Sequence, residues 1–242
     1  MRWGATSTSI TSLTIKDPQA VPTSLTTVLF DLDGTLVDTA PDMAAALNRL
    51  LAEQGCEPLP YAQIRPSVSH GSVAMIRVGF GDALDDAEFE RLRKRFLVIY
   101  ENNLVHESKL FDGMALVLDT LESAGLNWGI VTNKPGWLAE PLLQQLSLDT
   151  RAACIVSGDS TEQRKPHPEP MLHACKLTNS EPARCVYVGD AQRDIEAGRA
   201  AGMKTVVASF GYIADTDAPE TWGADGQIDS PAQLLDWIHD NA

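Results

Sequence analysis

The sequence predicts an α/β fold, in which a Rossmann-like parallel sheet carries an inserted helical domain. Short apolar segments recur between residues 28 and 208 and alternate with helical patterns, as strands and crossover helices do in a parallel sheet. After the first of these strands, about seventy residues show helical periodicity and no convincing strand. The chain has 242 residues, which suffices for one large domain with a smaller insert.

Composition and charge exclude several classes of protein. Apolar residues make up 44% and charged residues 21% of the chain, as in an ordinary globular protein. The formal net charge of −14 disfavours nucleic acid as a partner, because a face that binds phosphates must be basic. No apolar run approaches the ~18 residues of a membrane span, so we expect no membrane partner. The four cysteines show no metal-site spacing and are expected to be reduced, buried thiols.

The start of the chain differs in composition from the rest. Residues 1–24 are rich in Ser and Thr and lack apolar periodicity, which predicts a flexible N-terminal extension. The segment also lacks the uninterrupted apolar stretch of a secretory signal. We therefore expect a cytoplasmic protein whose folded part begins at about residue 25.

The first predicted strand and the helix after it open the folded part. Residues 28–30 are all apolar, which is typical of a strand buried at the centre of a parallel sheet. Thr39, Pro41 and Asp42 form a helix-start pattern of N-cap, early proline and acid. The apolar face of this helix is Met43, Leu47, Leu50 and Leu51. We expect the helix to end at Gly55.

Helices alone are predicted up to about residue 105, and strands then alternate with helices. The longest helix of the insert follows Asp85, and its apolar face is Phe89, Leu92, Phe96, Ile99 and Tyr100. Its solvated charged face is interpreted as Arg91, Arg93, Lys94 and Arg95. Further strands are expected at 128–131, 154–156, 185–188 and 205–208. Parallel sheets bind ligands at the carboxyl ends of their strands, so we expect the functional site there.

Polar side chains follow four of the predicted strands. They are Asp31 and Asp33 after the first, Thr132, Asn133 and Lys134 after the second, Lys165 after the third, and Asp190 and Asp194 after the fourth. In their order and context these motifs resemble those of the haloacid dehalogenase (HAD) superfamily of Mg²⁺-dependent phosphohydrolases. The resemblance covers residues from about 25 to 235. It implies a core domain of residues 25–38 and 108–242 with an inserted α-helical cap domain of residues 39–107.

The acidic motifs suit phosphoryl transfer. We assign Asp31 as the nucleophile that forms an aspartyl-phosphate, because attack on a phosphate dianion by a carboxylate is feasible once cations neutralise the charge. Asp33 lies two residues along an extended segment, on the same side, and is assigned as general acid and base. Oxygen ligands for Mg²⁺ are expected from Asp31, Asp190 and the backbone carbonyl of Asp33. Asp194 is expected just behind these ligands.

The resemblance also implies which groups bind the phosphoryl oxygens and which choose the substrate. Thr132, Asn133 and the amide of Gly34 are uncharged donors suited to a phosphoryl group, and Lys165 adds a positive charge. In the cap of this family, a loop corresponding to residues 67–71 faces the active site and helps to select the substrate. Within that loop we single out Ser69 and His70.

The sequence thus predicts a Mg²⁺-dependent phosphatase that hydrolyses a small phosphomonoester. The segment 189–198 resembles bacterial phosphoglycolate phosphatases, and segments 126–135, 165–170 and 211–225 are similar to a subgroup acting on N-acetylmuramic acid 6-phosphate. The expected substrate is therefore 2-phosphoglycolate or N-acetylmuramic acid 6-phosphate. A phosphosugar mutase of the same fold is an alternative, because it keeps all the core residues. A metal-independent dehalogenase is disfavoured, because it lacks an acid at the position of Asp33.

Overall fold

The computed structural model describes residues 25–241, so the predicted N-terminal extension lies outside the described residues. The strands are β1 (Thr27–Phe30), β2 (Val37–Asp38), β3 (Lys109–Leu110), β4 (Asn127–Val131), β5 (Ile155–Val156), β6 (Cys185–Gly189), β7 (Lys204–Ala208) and β8 (Gly226–Ile228). The α-helices are α1 (Ala40–Glu53), α2 (Tyr61–Ile64), α3 (Gly71–Phe80), α4 (Asp86–Glu101), α5 (Met114–Ser123), α6 (Gly136–Gln145), α7 (Glu169–Thr178), α8 (Gln192–Ala200) and α9 (Gln233–Asn241). Short 3₁₀ segments lie at Arg65–His70, Pro182–Arg184 and Pro219–Thr221.

Six strands form one parallel sheet in the order β5-β4-β1-β6-β7-β8. The first strand lies at its centre, with Phe30 opposite Ile130 on one side and Val188 on the other. Every residue of β1 is buried, as the wholly apolar segment predicts. The predicted α/β class and the four further strands are confirmed. The edge strand β8 and the helix α9 were not predicted.

The helices α1 to α4 occupy residues 40–101, between two short strands that the sequence did not predict. These strands, β2 and β3, pair antiparallel, with Val37 opposite Leu110 and Asp38 opposite Lys109. We call residues 39–107 the cap and the remainder of the described chain the core. The β2–β3 pair therefore forms the double connection between core and cap.

The start of α1 differs from the expected capping pattern. Thr39 makes no side-chain capping bond. Its hydroxyl donates instead to Oδ1 of Asp33 at 2.6 Å. The amides of Thr39 and Ala40 are satisfied by the Tyr212 hydroxyl oxygen, at 2.7 and 2.9 Å. Thr39 is the N-cap residue by position, as predicted, but the expected capping bond of its side chain is not formed.

The two connections are also tied together by Asp42, which the sequence placed in the first turn of α1. Its buried carboxylate accepts hydrogen bonds from the amides of His106, Glu107 and Ser108 at 2.8–3.1 Å. The Ser108 hydroxyl donates to the same carboxylate at 2.6 Å. A single side chain thus holds the returning chain against the start of the cap.

The predicted apolar faces lie in the core of the protein. Met43, Leu47, Leu50 and Leu51 of α1 and Leu92, Phe96, Ile99 and Tyr100 of α4 are all buried, whereas Phe89 of the predicted α4 face is partly buried against them. They belong to one apolar cluster that continues into the residues of the sheet, among them Val28 and Phe30. The Asp85 carboxylate accepts the Glu88 amide at 2.9 Å, which confirms the predicted start of α4. The cap is therefore packed onto the core through a continuous apolar interior.

Two further findings bear on the expectations drawn from composition. All four cysteines are unpaired, and three are buried, but Cys56 is exposed, in the segment that follows the end of α1 at Glu53. The expectation of a buried thiol is wrong there. None of the helices in the described part of the chain has the length and apolar character that a bilayer span requires.

Candidate active site

The predicted site residues meet at one edge of the sheet. Asp31 follows β1, Thr132 follows β4 and Asp190 follows β6, and these three strands are neighbours. Lys165 comes from the loop after β5, the next strand along the sheet. Because parallel strands end on the same side, their polar ends share one depression. Strand order alone therefore accounts for the convergence.

Three carboxylates form the most acidic part of this depression. Asp31, Asp190 and Asp194 each place an oxygen within 4.8 Å of the others, and all three are buried. Asp190 is also held in place by donors, namely the Ser69 hydroxyl at 2.6 Å and the Tyr212 amide at 2.9 Å. So close a group of buried acids is unfavourable unless positive charge balances it.

Lys165 supplies part of that balance. Its ammonium nitrogen lies 2.9 Å from Oδ1 of Asp31 and 2.8 Å from Oδ1 of Asp194. It also donates to the carbonyl of Val131 at 2.9 Å and to the hydroxyl of Tyr187 at 2.8 Å. The side chain has no exposed surface, so these partners fix both its position and its charge.

The pKa values of two of these acids are raised. Burial raises the pKa of Asp190 to about 7, and the charges of Asp31 and Asp194 add to the rise. Burial likewise raises the pKa of Asp194, against the opposing effect of Lys165. Burial and mutual repulsion therefore favour the protonated forms of Asp190 and Asp194, even with the positive charges of Lys165 and Arg193 nearby.

The donor set fits a hard divalent cation. Carboxylate oxygens are the ligands that Mg²⁺ prefers, and Asp31 and Asp190 stand together as predicted. Oδ1 of Asp194 is buried, and within residues 25–241 its one charged partner is the Lys165 ammonium at 2.8 Å. Asp194, expected behind the ligands, thus belongs to the same cluster of oxygens. The part assigned to the carbonyl of Asp33 stays a prediction.

Asp33 has partners of its own, distinct from those of Asp31. Its Oδ1 accepts from the Lys134 ammonium at 2.9 Å and from the Thr39 hydroxyl at 2.6 Å. Burial alone would lower the pKa of Lys134, but the charge of Asp33 and the hydrogen bond to Tyr100 raise it above its ordinary value. The two predicted catalytic carboxylates thus pair with two different lysines.

The expected phosphoryl-binding groups are mostly engaged in hydrogen bonds within the protein. The Gly34 amide donates to the Val37 carbonyl at 3.1 Å. The Asn133 side chain exchanges two hydrogen bonds with the backbone of Lys165, at 3.0 and 3.1 Å. The hydroxyl oxygen of Thr132 accepts the amide of residue 134 at 3.2 Å and keeps its own hydrogen for another acceptor. Asn133 thus fixes the Lys165 loop, and phosphoryl binding by these groups stays a prediction.

The backbone at Gly34 explains why no larger residue stands there. Its φ is +85°, a left-handed conformation that side chains rarely adopt. A Cβ atom at this position would overlap the carboxylate of Asp190. The glycine therefore lets the loop after β1 approach the acid after β6.

A cleft of about 600 Å³ lies between cap and core. From the core it is lined by Asp33, Asn133, Lys134, Pro135, Trp137, Leu138, Arg164 and Arg193. From the cap it is lined by residues of α1, α3 and α4 and by Val68, Ser69 and His70. Burial and the nearby charge of Arg193 lower the pKa of His70, which favours its neutral form. The two cap residues singled out from the sequence do border the cleft, and their part in substrate selection stays a prediction.

One side chain of the basic face of α4 differs from the predicted solvated arrangement. Arg91, Lys94 and Arg95 are exposed, as expected of a solvated face. Arg93 is half-buried and lines the cleft, where Glu90 holds it at 2.9 Å. The prediction is wrong for Arg93, because the turn of α4 carries this residue toward the core.

A family profile described as haloacid dehalogenase-like hydrolase matches residues 28–208. The chain belongs to this family. A phosphoglycolate phosphatase of Xanthomonas campestris is 49% identical over 207 residues, which cover 86% of this chain and 93% of the relative. An N-acetylmuramic acid 6-phosphate phosphatase of Pseudomonas putida is 45% identical over 210 residues, with 87% and 94% covered. The crystal structure of a predicted phosphoglycolate phosphatase from Haemophilus somnus matches with a TM-score of 0.79 at 27% identity, covering 89% of this chain and 98% of that one.

Two site residues of this HAD hydrolase received no role from its sequence. Lys134 follows β4 directly after the recognised Thr132 and Asn133, and its place at a strand end was the available signal. Tyr100 looked like a core residue, because it lies on the apolar face of α4. Burial raises the pKa of Tyr100 to about 12, so its hydroxyl stays protonated at neutral pH.

Proposed function

We propose that this HAD hydrolase is a Mg²⁺-dependent phosphatase that acts through an aspartyl-phosphate on Asp31. The observation that carries the proposal is the position of Asp31, whose Oδ1 faces Lys165 at 2.9 Å within a cluster of buried acids. The amide of Leu32 donates to the same oxygen at 2.7 Å. Two donors on Oδ1 orient the carboxylate and leave Oδ2 for attack on phosphorus.

The first half of the reaction forms the aspartyl-phosphate. Oδ2 of Asp31 bonds to phosphorus, and the bond from phosphorus to the ester oxygen breaks. Asp33 in its protonated form gives its proton to the departing alkoxide. Lys165 and the hydroxyl of Thr132 face the phosphoryl oxygens, where charge accumulates.

The second half regenerates the enzyme. Asp33, now a carboxylate, accepts a proton from water, whose oxygen bonds to phosphorus. The bond between phosphorus and Oδ2 of Asp31 breaks, so inorganic phosphate leaves and the aspartate is restored. The same side chain thus serves as acid in one half and as base in the other.

Mg²⁺ would be held by Asp31, Asp190 and the carbonyl of Asp33, where it supplies charge neutralisation between the acids and the substrate dianion. Asp194 holds Lys165 at 2.8 Å and so keeps the ammonium beside Asp31. Burial and the charges of Asp31 and Asp194 raise the pKa of Asp190, and a cation bound there would favour its ionised form.

We propose a phosphorylated organic acid as substrate, and the cleft favours N-acetylmuramic acid 6-phosphate over 2-phosphoglycolate. The volume of about 600 Å³ far exceeds what a glycolate needs. Trp137 lines the cleft with 45% of its surface exposed, and an exposed aromatic face suits a sugar ring. The phosphoglycolate phosphatase relatives support the smaller acid as the second candidate. We place the enzyme in the cytoplasm, where its unpaired cysteines would stay reduced.

The test is phosphate release from the two substrates side by side, with Mg²⁺ and with EDTA. We expect release only with Mg²⁺ and a larger kcat/KM for the sugar acid. A larger value for 2-phosphoglycolate would reverse the order of the two substrates. Phosphosugar isomerisation without phosphate release would indicate a mutase, and Mg²⁺-independent turnover would contradict the mechanism.

A further inference from the structure

A chain of three side chains joins the cap to the proposed acid and base. Tyr100 lies on α4 in the cap, Lys134 follows β4 in the core, and Asp33 follows β1. The Lys134 ammonium donates to the Tyr100 hydroxyl at 2.9 Å and to Oδ1 of Asp33 at 2.9 Å. One ammonium group therefore touches both the cap and the carboxylate that is proposed to protonate the leaving group.

The ammonium has little freedom to leave this position. Lys134 and Tyr100 are buried, and the ammonium also lies 4.6 Å from the centre of the Tyr100 ring. The ring is stacked on Phe96 at 6.3 Å with an interplanar angle of 10°. A buried ammonium is unfavourable without partners, so its two partners determine where it lies.

Both hydrogen bonds to Oδ1 of Asp33 come from groups tied to the cap. The second donor is the Thr39 hydroxyl, 2.6 Å away, in the segment that enters α1. With Oδ1 held from two sides, Oδ2 is the oxygen left for proton transfer. Asp33, Lys134 and Tyr100 all line the cleft, so this oxygen is set beside the space for substrate.

We propose that Tyr100 and Lys134 are positioning residues that set Asp33 for proton transfer when the cap is closed. The inference rests on the proposed function, in which Asp33 protonates the leaving group. Moving α4 away from the core would take the Tyr100 hydroxyl from Lys134 and release the second anchor of the ammonium. The carboxylate would then lose its fixed orientation toward the ester oxygen, which links catalysis to cap closure.

The test compares esters that need a proton on the leaving group with esters that do not. The ratio kcat/KM covers only the steps up to the aspartyl-phosphate and release of the first product. A sugar-acid phosphate leaves as an alkoxide and needs the proton, whereas p-nitrophenolate leaves without it. Asp33→Asn provides the reference pattern, a large loss on the alkyl ester and a small loss on the aryl ester.

We expect Tyr100→Phe to lower kcat/KM about tenfold on the alkyl ester and less than about twofold on the aryl ester. Lys134→Met should show the same pattern with a larger loss, and Lys134→Arg should recover part of it by restoring the charge. Tyr61→Phe and Lys94→Met are matched controls, because both residues are exposed on the cap. Circular dichroism and Tm show whether each variant is folded.

Equal losses on the two esters, or no loss on either, in a folded Tyr100→Phe variant would overturn the inference. The failure of the proposed function looks different, because the wild type would then hydrolyse neither ester. If Asp33→Asn shows the leaving-group pattern and Tyr100→Phe does not, the phosphatase mechanism stands and the positioning role is wrong.

Discussion

The ammonium group of Lys165 lies 2.9 Å from the carboxylate of Asp31, and neither side chain is open to solvent. We predict that Lys165→Met lowers kcat by at least about a hundredfold, because it removes the charge that faces the developing phosphoryl oxygens. Lys94→Met, an exposed change on α4, is the control and should retain full activity. Steady-state phosphate release measures both, and a Lys165→Met enzyme with half the wild-type rate would contradict the role of this lysine.

The same substitution should lower stability in EDTA. Without the ammonium, the buried carboxylates of Asp31 and Asp194 lose their positive partner, which costs roughly 3–5 kcal/mol in the free energy of unfolding. Urea denaturation at neutral pH measures the difference. An unchanged midpoint would show that the pair contributes little to folding.

The metal-free protein should become less stable as the pH rises, because of Asp190. Burial raises its folded-state pKa to about 7, above the ordinary value of 3.8 for an exposed aspartate. Between these two values the unfolded chain has lost a proton that the folded protein still holds, so ionisation favours unfolding. The loss of stability from this group grows from about pH 4 to about pH 7 and is complete above.

Asp190→Asn tests this dependence. In EDTA, the gain in Tm of the variant over the wild type should grow across the same pH window and then stay constant. Mg²⁺ should raise the Tm of the wild type and leave that of the variant unchanged. A gain in Tm that is independent of pH, or an equal response of both proteins to Mg²⁺, would count against the assignment of Asp190.

Tyr212 should matter for the connection between core and cap. Its hydroxyl accepts the amides of Thr39 and Ala40 and donates to Asp38 at 2.7 Å. We predict that Tyr212→Phe costs about 1–3 kcal/mol in the free energy of unfolding, because two buried amides lose their acceptor. Tyr61→Phe, at a site 43% exposed, is the control and should cost almost nothing. Equal midpoints of urea unfolding for the two variants would refute the prediction.

Trp137 should distinguish the two candidate substrates. We expect Trp137→Ala to raise KM for N-acetylmuramic acid 6-phosphate about tenfold, because the sugar ring of the substrate loses its contact with the indole. The KM for 2-phosphoglycolate should change less than about twofold, since a small acid need not reach this side chain. Leu116→Ala, an exposed change on α5, is the control. Equal changes for both substrates would exclude a contact specific to the sugar.

The parts of the fold and site that depend on local sequence patterns could be predicted from the sequence. An apolar run such as residues 28–30 predicts a central strand by itself, and strand ends of a parallel sheet must meet. Asp31 and Asp190 could therefore be brought together without coordinates. The strands β2 and β3 could not, because two residues each are too short for a periodic signal.

Contacts between segments that are distant in the sequence could not be predicted, for a different reason. Tyr100 looks like an ordinary core residue, and only packing of α4 against the core brings its hydroxyl to Lys134. Thr39 has a helix-capping pattern, yet its side chain makes no capping bond; its hydroxyl donates to Asp33, and the Tyr212 hydroxyl accepts the first amides of the segment. In both cases the contact joins residues that are far apart in the sequence, so no local pattern could indicate it.

The aspartyl-phosphate on Asp31 is the central claim, and acid quenching during turnover tests it most directly. With a substrate labelled in its phosphoryl group and Mg²⁺ present, the wild type should carry label on the peptide that contains Asp31. Asp31→Asn, with unchanged circular dichroism, should carry none and release no phosphate above background. Wild-type turnover by Asp31→Asn, or label that persists on the variant, would contradict the account.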